Sequence, residues 1–354
     1  MKIIHAADIH LGAKMDSKFP KHVYDKRKEE LRNTFKRMVE YAENNGINVI
    51  ILSGDVFDKD NPYKKDKEFF YSIVRKNPQI DFIYLRGNHD IAVDYDGDPI
   101  DNLKVFDNQW KSYTYGKVVI SGIEITAENS TSLYSSLSLD KDTVNIVALH
   151  GQVGDSHGKD KINLKKLRGK NIDYLALGHV HKYQLNKLDD RAVYCYSGCL
   201  EGRGFDEPEE HGFVLLEVDN GVSSTFIPFA ERKILIADVD ISGLRDAYQV
   251  FVAIKEAVRF DKNNIYRVNL TGTIDFDVER LESDVEKYLS AECFYVDVKD
   301  CTGKTLDIHK YDGDTSLRGE FVRCVYESPD YTDEEKAKII TYGLKALKGD
   351  DIEL

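Results

Sequence analysis

Short apolar runs separated by amphipathic stretches mark the first two-thirds of the chain. Lys2–Ala7, Val49–Ser53, Phe82–Leu85, Val118–Ile125, Asn145–Leu149, Tyr174–Leu177, Ala192–Tyr196 and Phe213–Val218 are rich in Ile, Val, Leu and Tyr and predict strands. Several are almost continuously apolar, the pattern of a strand covered on both faces. Leu31, Phe35, Met38, Val39 and Ala42 fall on one face of a 3.6-residue period, predicting a helix over Asp25–Glu43. Lys64–Lys76 predicts a shorter helix, with Phe69, Ile73 and Val74 on one side and Pro62 just ahead of it. Strands interleaved with helices, then mostly strands, predict a layered α/β sandwich over residues 1–230.

After Pro228 the texture changes. Lys233–Asp240, Tyr266–Leu270 and Phe294–Val298 predict strands, and Leu244–Phe260 and Val278–Leu289 predict helices, giving a small α/β unit over 231–302. Residues 303–328 are polar and contain glycine, and predict a linker. A last helix is predicted over Thr332–Leu347, in the segment 329–354. Thr332 with Glu335 is a capping-box signature. Ile339, Ile340, Leu344 and Leu347 form an apolar stripe that Gly349 ends. That stripe has to be covered, either by the chain's own domains or by a partner.

Composition narrows the class. A length of 354 residues fits two or three domains. A net charge of −13 argues at first against nucleic acid. No stretch approaches the ~20 apolar residues of a membrane helix, so no membrane partner is expected. Asp8 and His10 come too early for a signal peptide. Cys195, Cys199, Cys293, Cys301 and Cys324 include no CxxC pair. They suit free thiols in a reducing, cytoplasmic setting.

The chemistry gathers where strands end. Five β-type runs finish in Asp, Asn or His, often beside glycine: Ala6-Ala7-Asp8-Ile9-His10, Leu52-Ser53-Gly54-Asp55, Leu85-Arg86-Gly87-Asn88-His89-Asp90, Ala148-Leu149-His150-Gly151 and Leu177-Gly178-His179-Val180-His181. Carboxylate, amide and imidazole are ligands for divalent ions such as Mn²⁺, with Zn²⁺ and Fe²⁺ as competitors. In an open α/β sheet, strand ends converge on one crevice. Asp8 and His10, two residues apart, would point the same way from a strand. Taken singly, an Asp at a strand end caps a turn and a His satisfies a core. His5, His22, His157, His211 and His309 keep that structural reading.

Asp-x-His, Gly-Asp, Gly-Asn-His-Asp, His and Gly-His-x-His, in this order, resemble the calcineurin-like metallophosphoesterase superfamily over residues 1–230. Ala6–Gly12, Ser53–Asp58 and Tyr196–Glu201 are similar to one branch of it. That branch comprises DNA double-strand-break repair nucleases of the meiotic recombination-eleven and SbcD type, here in prokaryotic, archaeal form. The resemblance implies a four-layer metallophosphoesterase α/β sandwich, a small α/β capping domain and a C-terminal helical segment. It also implies two Mn²⁺ per chain. Asp8, His10, Asp55 and His181 would hold one ion, and Asp55, Asn88, His150 and His179 the other, with Asp55 bridging. Two such ions bring +4 against −2 from Asp8 and Asp55, which leaves a centre that attracts phosphate. His89 is implied to contact the scissile phosphate or protonate the leaving 3′ oxygen. Asp90 would then fix the His89 tautomer, or simply cap the turn. Where many members of the family carry a catalytic histidine this chain has Asp58, to which no catalytic role carries over. A carboxylate there needs a cation beside it.

The implied function is a Mn²⁺-dependent DNA nuclease, 3′→5′ exonucleolytic and single-strand endonucleolytic. It would be a homodimer working with an SMC-like ABC ATPase through the C-terminal helix. Local charge makes DNA possible: residues 157–170 carry a local +5, with Lys165, Lys166 and Arg168 as DNA-contact candidates. Lys14–Lys28 is also basic, and either segment is otherwise a solvated face. Phe69, Phe70, Leu103 and Phe106 are candidates for a dimer surface, or for the core. A phosphatase or small-phosphodiester reading, and a non-catalytic scaffold of the same fold, stay open.

Overall fold

The structure is a computed structural model that describes residues 1–15, 19–58, 62–90, 99–155, 158, 160–208, 210–219, 221–274, 280–304 and 311–348. Lys18, His157, Lys159, His309, Gly349 and the start of the Val278–Leu289 helix lie outside the described residues. Two compact units result: 1–236 with 260–267 and 291–296, and 237–259 with 268–290 and 297–354.

Two six-stranded sheets make the first unit. The first runs, in spatial order, Val222–Pro228, Gly212–Val218, Lys2–Ala6, Val49–Ser53, Asp81–Leu85, Leu103–Val105. The second runs Gln184–Lys187, Val193–Tyr196, Tyr174–Gly178, Val144–His150, Val118–Gly122, Lys111–Tyr115. The central strands of each are parallel.

The period-2 alternation of a strand explains their unbroken hydrophobicity. Ile3, Val49, Ile51, Ile83 and Leu85 of the first sheet meet Ile120, Ile146, Ala148, Tyr174 and Ala176 of the second, all buried between the sheets. The alternate residues Ile4, Ala6, Ile50, Leu52, Phe82 and Tyr84 pack outward on the helices Lys21–Asn44 and Lys64–Lys76 through Phe35, Met38, Val39 and Phe70. On the far side, Val147, Leu149, Leu175 and Leu177 pack with Leu133, Tyr134 and Leu167, from the short helix Leu133–Ser136 and a 3₁₀ turn. The order helix, sheet, sheet, short helix gives the four expected layers.

This packing settles the apolar candidates. Phe70 and Phe106 are fully buried, and Phe69 and Leu103 pack partly buried against the same core. The core consumes Phe70 and Phe106, so neither is spare for a dimer surface, while Phe69 and Leu103 are only partly covered.

In the second unit, Asp246 caps the helix Ala247–Ala257 by accepting the Gln249 N–H at 2.8 Å, and that helix packs against Leu281–Leu289. The expected linker contains a helix, Leu317–Glu327, capped by Ser316 and packed on the terminal helix Asp333–Lys348. Its Gly319 reads as a loop residue in sequence. In the fold a Cβ there would collide with Asp314, so the glycine admits a close approach within a helix. The capping box is present: Glu335 accepts the Thr332 N–H at 2.8 Å and Thr332 accepts the Glu335 N–H at 3.3 Å. Ile340 is buried, and Tyr342 and Leu347 remain exposed.

Candidate dinuclear metal centre

Every implied ligand sits at or just past the C-terminal end of a central strand. The sequence expectation placed Asp8 and His10 on a strand, but the strand stops at Ala6. Asp8 and His10 instead adopt left-handed backbone, φ +52° and +51°, as do Asp55 at +52° and, further out, His179 at +100°. Such conformations are uncommon for residues with a Cβ and concentrate where function imposes them. Here backbone bonds impose them. The N–H groups of Asp8, His10 and Leu11 donate to the carbonyls of Gly54, Asp55 and Val56 at 3.0, 2.9 and 2.8 Å, zipping the first loop to the second. The Asp8 carboxylate accepts the His179 N–H at 2.9 and 3.1 Å, tying in the fifth loop across the two sheets.

Two ligand groups result. Asp8, His10 and His181 form one, and Asp55, His150 and His179 the other, with ligand atoms in each all within 4.8 Å of one another. Asn88 belongs with the second group: its Oδ1 lies 3.0 Å from His150 Nε2 and 3.4 Å from His179 Nδ1. All seven predicted ligands therefore come together. Gly54 and Gly87 are required by this crowding. A Cβ on Gly54 would overlap the His150 imidazole, and one on Gly87 would overlap Asp55.

Two imidazoles, His150 and His181, have one ring nitrogen hydrogen-bonded outside the centre, and His10 Nδ1 faces Asp58 at ion-pair distance only, which turns the other nitrogens inward. His150 Nδ1 lies 2.8 Å from the Ser53 carbonyl, His10 Nδ1 3.1 Å from Asp58 and His181 Nδ1 2.7 Å from Glu207. This backing is typical of metal-ligating histidines. Electrostatics agree with a cation site. Burial opposes ionisation of Asp55, yet the hydrogen bond and charge of His150 hold its carboxyl well below the usual range. Burial depresses His150 too, but Asp55 outweighs it and pushes His150 up to about 9. Burial keeps His10 and His179 below their ordinary value, so both stay neutral and free to ligate. A cation entering the second group would displace the His150 proton. The donor set thus fits two divalent ions of borderline hardness.

His89 lies beside the first group. Its N–H donates to Asp55 at 3.0 Å, its ring centroid is 5.5 Å from that of His10, and it is partly exposed. Of the two roles expected of it, Asp90 matches the turn cap through its hydrogen bonds, extended to a second loop. It is fully buried, and its two oxygens accept the N–H groups of Phe57, Val56 and Gly87 at 2.9, 3.1 and 3.2 Å. Burial and the charge of Asp55 push its pKa up to about 6. Asp90 therefore clamps the backbone of two ligand loops rather than orienting an imidazole.

The carboxylate of Asp58 does have its cation, Arg203, with Nη1 3.2 Å from Asp58 Oδ1. Arg203 also meets Glu207 through Nη2 at 2.7 Å. Burial opposes the charge of Glu207, but His181 and Arg203 outweigh it and hold the carboxyl far below its usual range. Sequence reasoning missed Arg203 and Glu207. They lie in an irregular loop with no periodicity, and the one signal was the demand of Asp58 for a cation.

The basic candidates fare unevenly. Lys165, Lys166 and Arg168 are exposed, but Lys165 Nζ is 3.1 Å from Asp155, Lys166 lies over the Tyr134 ring and Arg168 Nε donates to the Leu188 carbonyl. Arg27, in the other basic segment, is fully buried and paired with Glu30 and Glu201 at 2.6 and 2.7 Å. It is a structural cation. The cavity beside Asn88 and His150, about 540 Å³, is lined by Asp107, Glu124, Glu128 and Asp160 with Arg86, and by none of Lys165, Lys166 and Arg168.

Parallel central strands whose ends carry this ligand set define a metallophosphoesterase. Residues 1–183 match the calcineurin-like phosphoesterase family, and the chain belongs to that family as a phosphoester hydrolase. Among curated relatives, it is 24% identical to the DNA double-strand break repair protein Mre11 of Sulfolobus acidocaldarius, covering 96% of this chain and 94% of that one. It is 29% identical to the uncharacterized metallophosphoesterase YhaO of Bacillus subtilis, over 62% of this chain and 58% of the relative. It is 22% identical to a subunit of the nuclease SbcCD of Staphylococcus epidermidis, over 77% of this chain and 79% of the relative. Among the described residues, no helix is long and apolar enough to cross a membrane.

Proposed function

We propose that the chain is a Mn²⁺-dependent DNA nuclease of double-strand-break repair, with 3′→5′ exonuclease and single-strand endonuclease activity. The observation that carries this is the pair of adjacent ligand groups with His89 anchored between them. The relatives of Sulfolobus acidocaldarius and Staphylococcus epidermidis support DNA as the substrate. Asp8, His10, Asp55 and His181 would hold one ion and Asp55, Asn88, His150 and His179 the other, Asp55 being shared. When bound, such ions polarise the phosphodiester and lower the pKa of a bound water.

The chain's own residues do the rest. Asp90 and the Asp8–His179 contact fix the loops, so the ligands need little reorganisation. His89, partly exposed and held by its backbone N–H, would meet the scissile phosphate and give a proton to the leaving 3′ oxygen. An alkoxide leaves poorly without that proton.

The paired helices Leu317–Glu327 and Asp333–Lys348 are our candidate for the contact with an SMC-like ABC ATPase, through exposed Leu317, Tyr326, Tyr342 and Leu347. Homodimerisation and a cytoplasmic location belong to the same proposal. Lys165, Lys166 and Arg168 would add DNA affinity at a distance from the acidic cavity. That cavity favours a second reading, a phosphatase or phosphodiesterase for small esters, because its carboxylates would repel neighbouring phosphates of a polymer.

One assay separates the readings. The pure chain is incubated with Mn²⁺ or Mg²⁺ and offered labelled linear duplex, single-stranded circle and p-nitrophenyl phosphate. We expect Mn²⁺-dependent cleavage of DNA with little turnover of the monoester, and loss of cleavage in His89→Ser with metal binding retained. Monoester turnover without DNA cleavage would transfer the assignment to the second reading.

A further inference from the structure

We propose that Arg203 is a positioning residue that braces one of the two metal sites and leaves the other untouched. The inference rests on the dinuclear reading above and names a determinant within it.

The first ligand group has two imidazoles, His10 and His181. Each turns Nδ1 towards a carboxylate: His10 lies 3.1 Å from Asp58 in ion-pair contact without hydrogen-bond geometry, and His181 is hydrogen-bonded to Glu207 at 2.7 Å. Those residues come from separate parts of the chain, the loop after Val49–Ser53 and the loop after Val193–Tyr196. One guanidinium joins them, and its Nη2 also lies 2.8 Å from His181 Nδ1. Arg203 Nη1 is 3.2 Å from Asp58, and Nη2 and Nε are 2.7 and 3.2 Å from Glu207 Oε1. The Arg203 N–H also donates to Glu207 Oε2 at 2.8 Å. The planar fork of arginine matches this geometry, whereas the single ammonium of lysine cannot span both carboxylates at fixed angles.

Glu207 is held from behind as well. Its carbonyl accepts from His211 Nε2 at 2.9 Å, and His211 Nδ1 lies 3.2 Å from Cys199 Sγ. The Cys199 N–H in turn donates to the His181 carbonyl at 3.0 Å. Cys199 and His211 are buried and take no part in the chemistry, and this closed loop of contacts accounts for them.

The second group is built differently. His150 is backed by a neutral carbonyl, that of Ser53, and Asn88 is an amide. No contact of Arg203, Asp58 or Glu207 with His150, His179 or Asn88 is found among the described residues. A carboxylate behind an imidazole fixes its tautomer and raises its basicity. Loss of such an outer partner costs about 10–100-fold in metal affinity. Without Arg203, Asp58 and Glu207 repel each other, and each is free to turn away from its imidazole. The loss should fall on the Asp8–His10–His181 site alone.

The test uses the full chain with Mn²⁺ as the probe, in wild type, Arg203→Gln, Arg203→Lys and Glu207→Gln. Bound Mn²⁺ is counted by titration, and electron paramagnetic resonance distinguishes a spin-coupled pair from an isolated ion. Wild type should bind two ions. Arg203→Gln should bind one tightly, with the second weakened at least tenfold and the coupled signal replaced by that of an isolated ion. Arg203→Lys should rescue only in part. Glu207→Gln keeps the shape of the loop, and should weaken the same ion if Arg203→Gln does not fold. Adding Arg203→Gln to His10→Ala should remove no further ion, because both act on one site. Two tight ions and an unchanged coupled signal in Arg203→Gln, or an equal loss at both sites, would overturn the brace. If wild type itself bound no pair of ions, the dinuclear reading would fail instead.

Discussion

Asp90→Ala is the sharpest probe of how the ligand loops are held. The side chain is fully buried and accepts three main-chain N–H groups, from Val56, Phe57 and Gly87. Alanine removes all three acceptors and offers none. A buried donor left without a partner costs about 1–3 kcal/mol. Three donors set a ceiling near 9 kcal/mol, and water entering the vacated space pulls the cost towards about 3–5 kcal/mol. Asp90→Asn keeps one oxygen, which retains either the pair Val56 and Gly87 or Phe57, so about half of that loss is expected.

The assay is urea unfolding of the metal-free chain, joined to amide hydrogen exchange at the three residues. Both variants should lower the unfolding midpoint, and exchange at Val56, Phe57 and Gly87 should accelerate before the rest of the sheet. The reasoning fails if Asp90→Ala lies within 1 kcal/mol of wild type and abolishes cleavage as His89→Ser does. That outcome would restore Asp90 as the partner of the His89 imidazole.

Other consequences follow from the same geometry. Gly54→Ala pushes a methyl into the His150 ring and adopts φ +96°, so it should lose the ion of the second group while keeping that of the first, read by Mn²⁺ stoichiometry. Arg27→Ala leaves Glu201 as a buried charge without its cation, while Glu30 keeps Arg232 at 2.7 Å; it should cost about 3–5 kcal/mol in denaturation, with the salt slope of DNA binding unchanged. Neutralising Lys165, Lys166 and Arg168 together should weaken DNA binding and flatten its salt slope by as much as about 2.7. An unchanged slope removes them from the interface. Tyr342→Ser with Leu347→Ser should abolish copurification with the ATPase while leaving nuclease activity intact, and continued copurification would exclude this helix pair.

The strands legible in the sequence are the central ones. Val49–Ser53 is buried at every position, so its apolar run is unbroken and its limits are read correctly. In the two six-stranded sheets, the described strands without a predicted counterpart are the edge strands: Leu103–Val105, Lys111–Tyr115, Gln184–Lys187 and Val222–Pro228. An edge is half solvated and need not repeat apolar residues, and Gln184–Lys187 is exposed throughout. The ligands were legible because short motifs recur at strand ends. The layer behind them was not, because Arg203 and Glu207 act through a loop whose sequence carries no period. Asp90 was found by its motif with two readings open, since nothing in Gly-Asn-His-Asp tells a backbone clamp from an imidazole clamp.

The left-handed turns at Asp8, His10, Asp55 and His179 carry a trade-off between durability and chemistry. A non-glycine residue held there costs of order 1–3 kcal/mol, so the metal-free chain spends folding free energy to keep its ligands aimed. Glycine at one of these positions would relax the backbone and delete a ligand in the same stroke. Some inactive variants of this centre should therefore outlast the native chain on heating without metal. For this protein, a robust melting curve is no sign of an intact site.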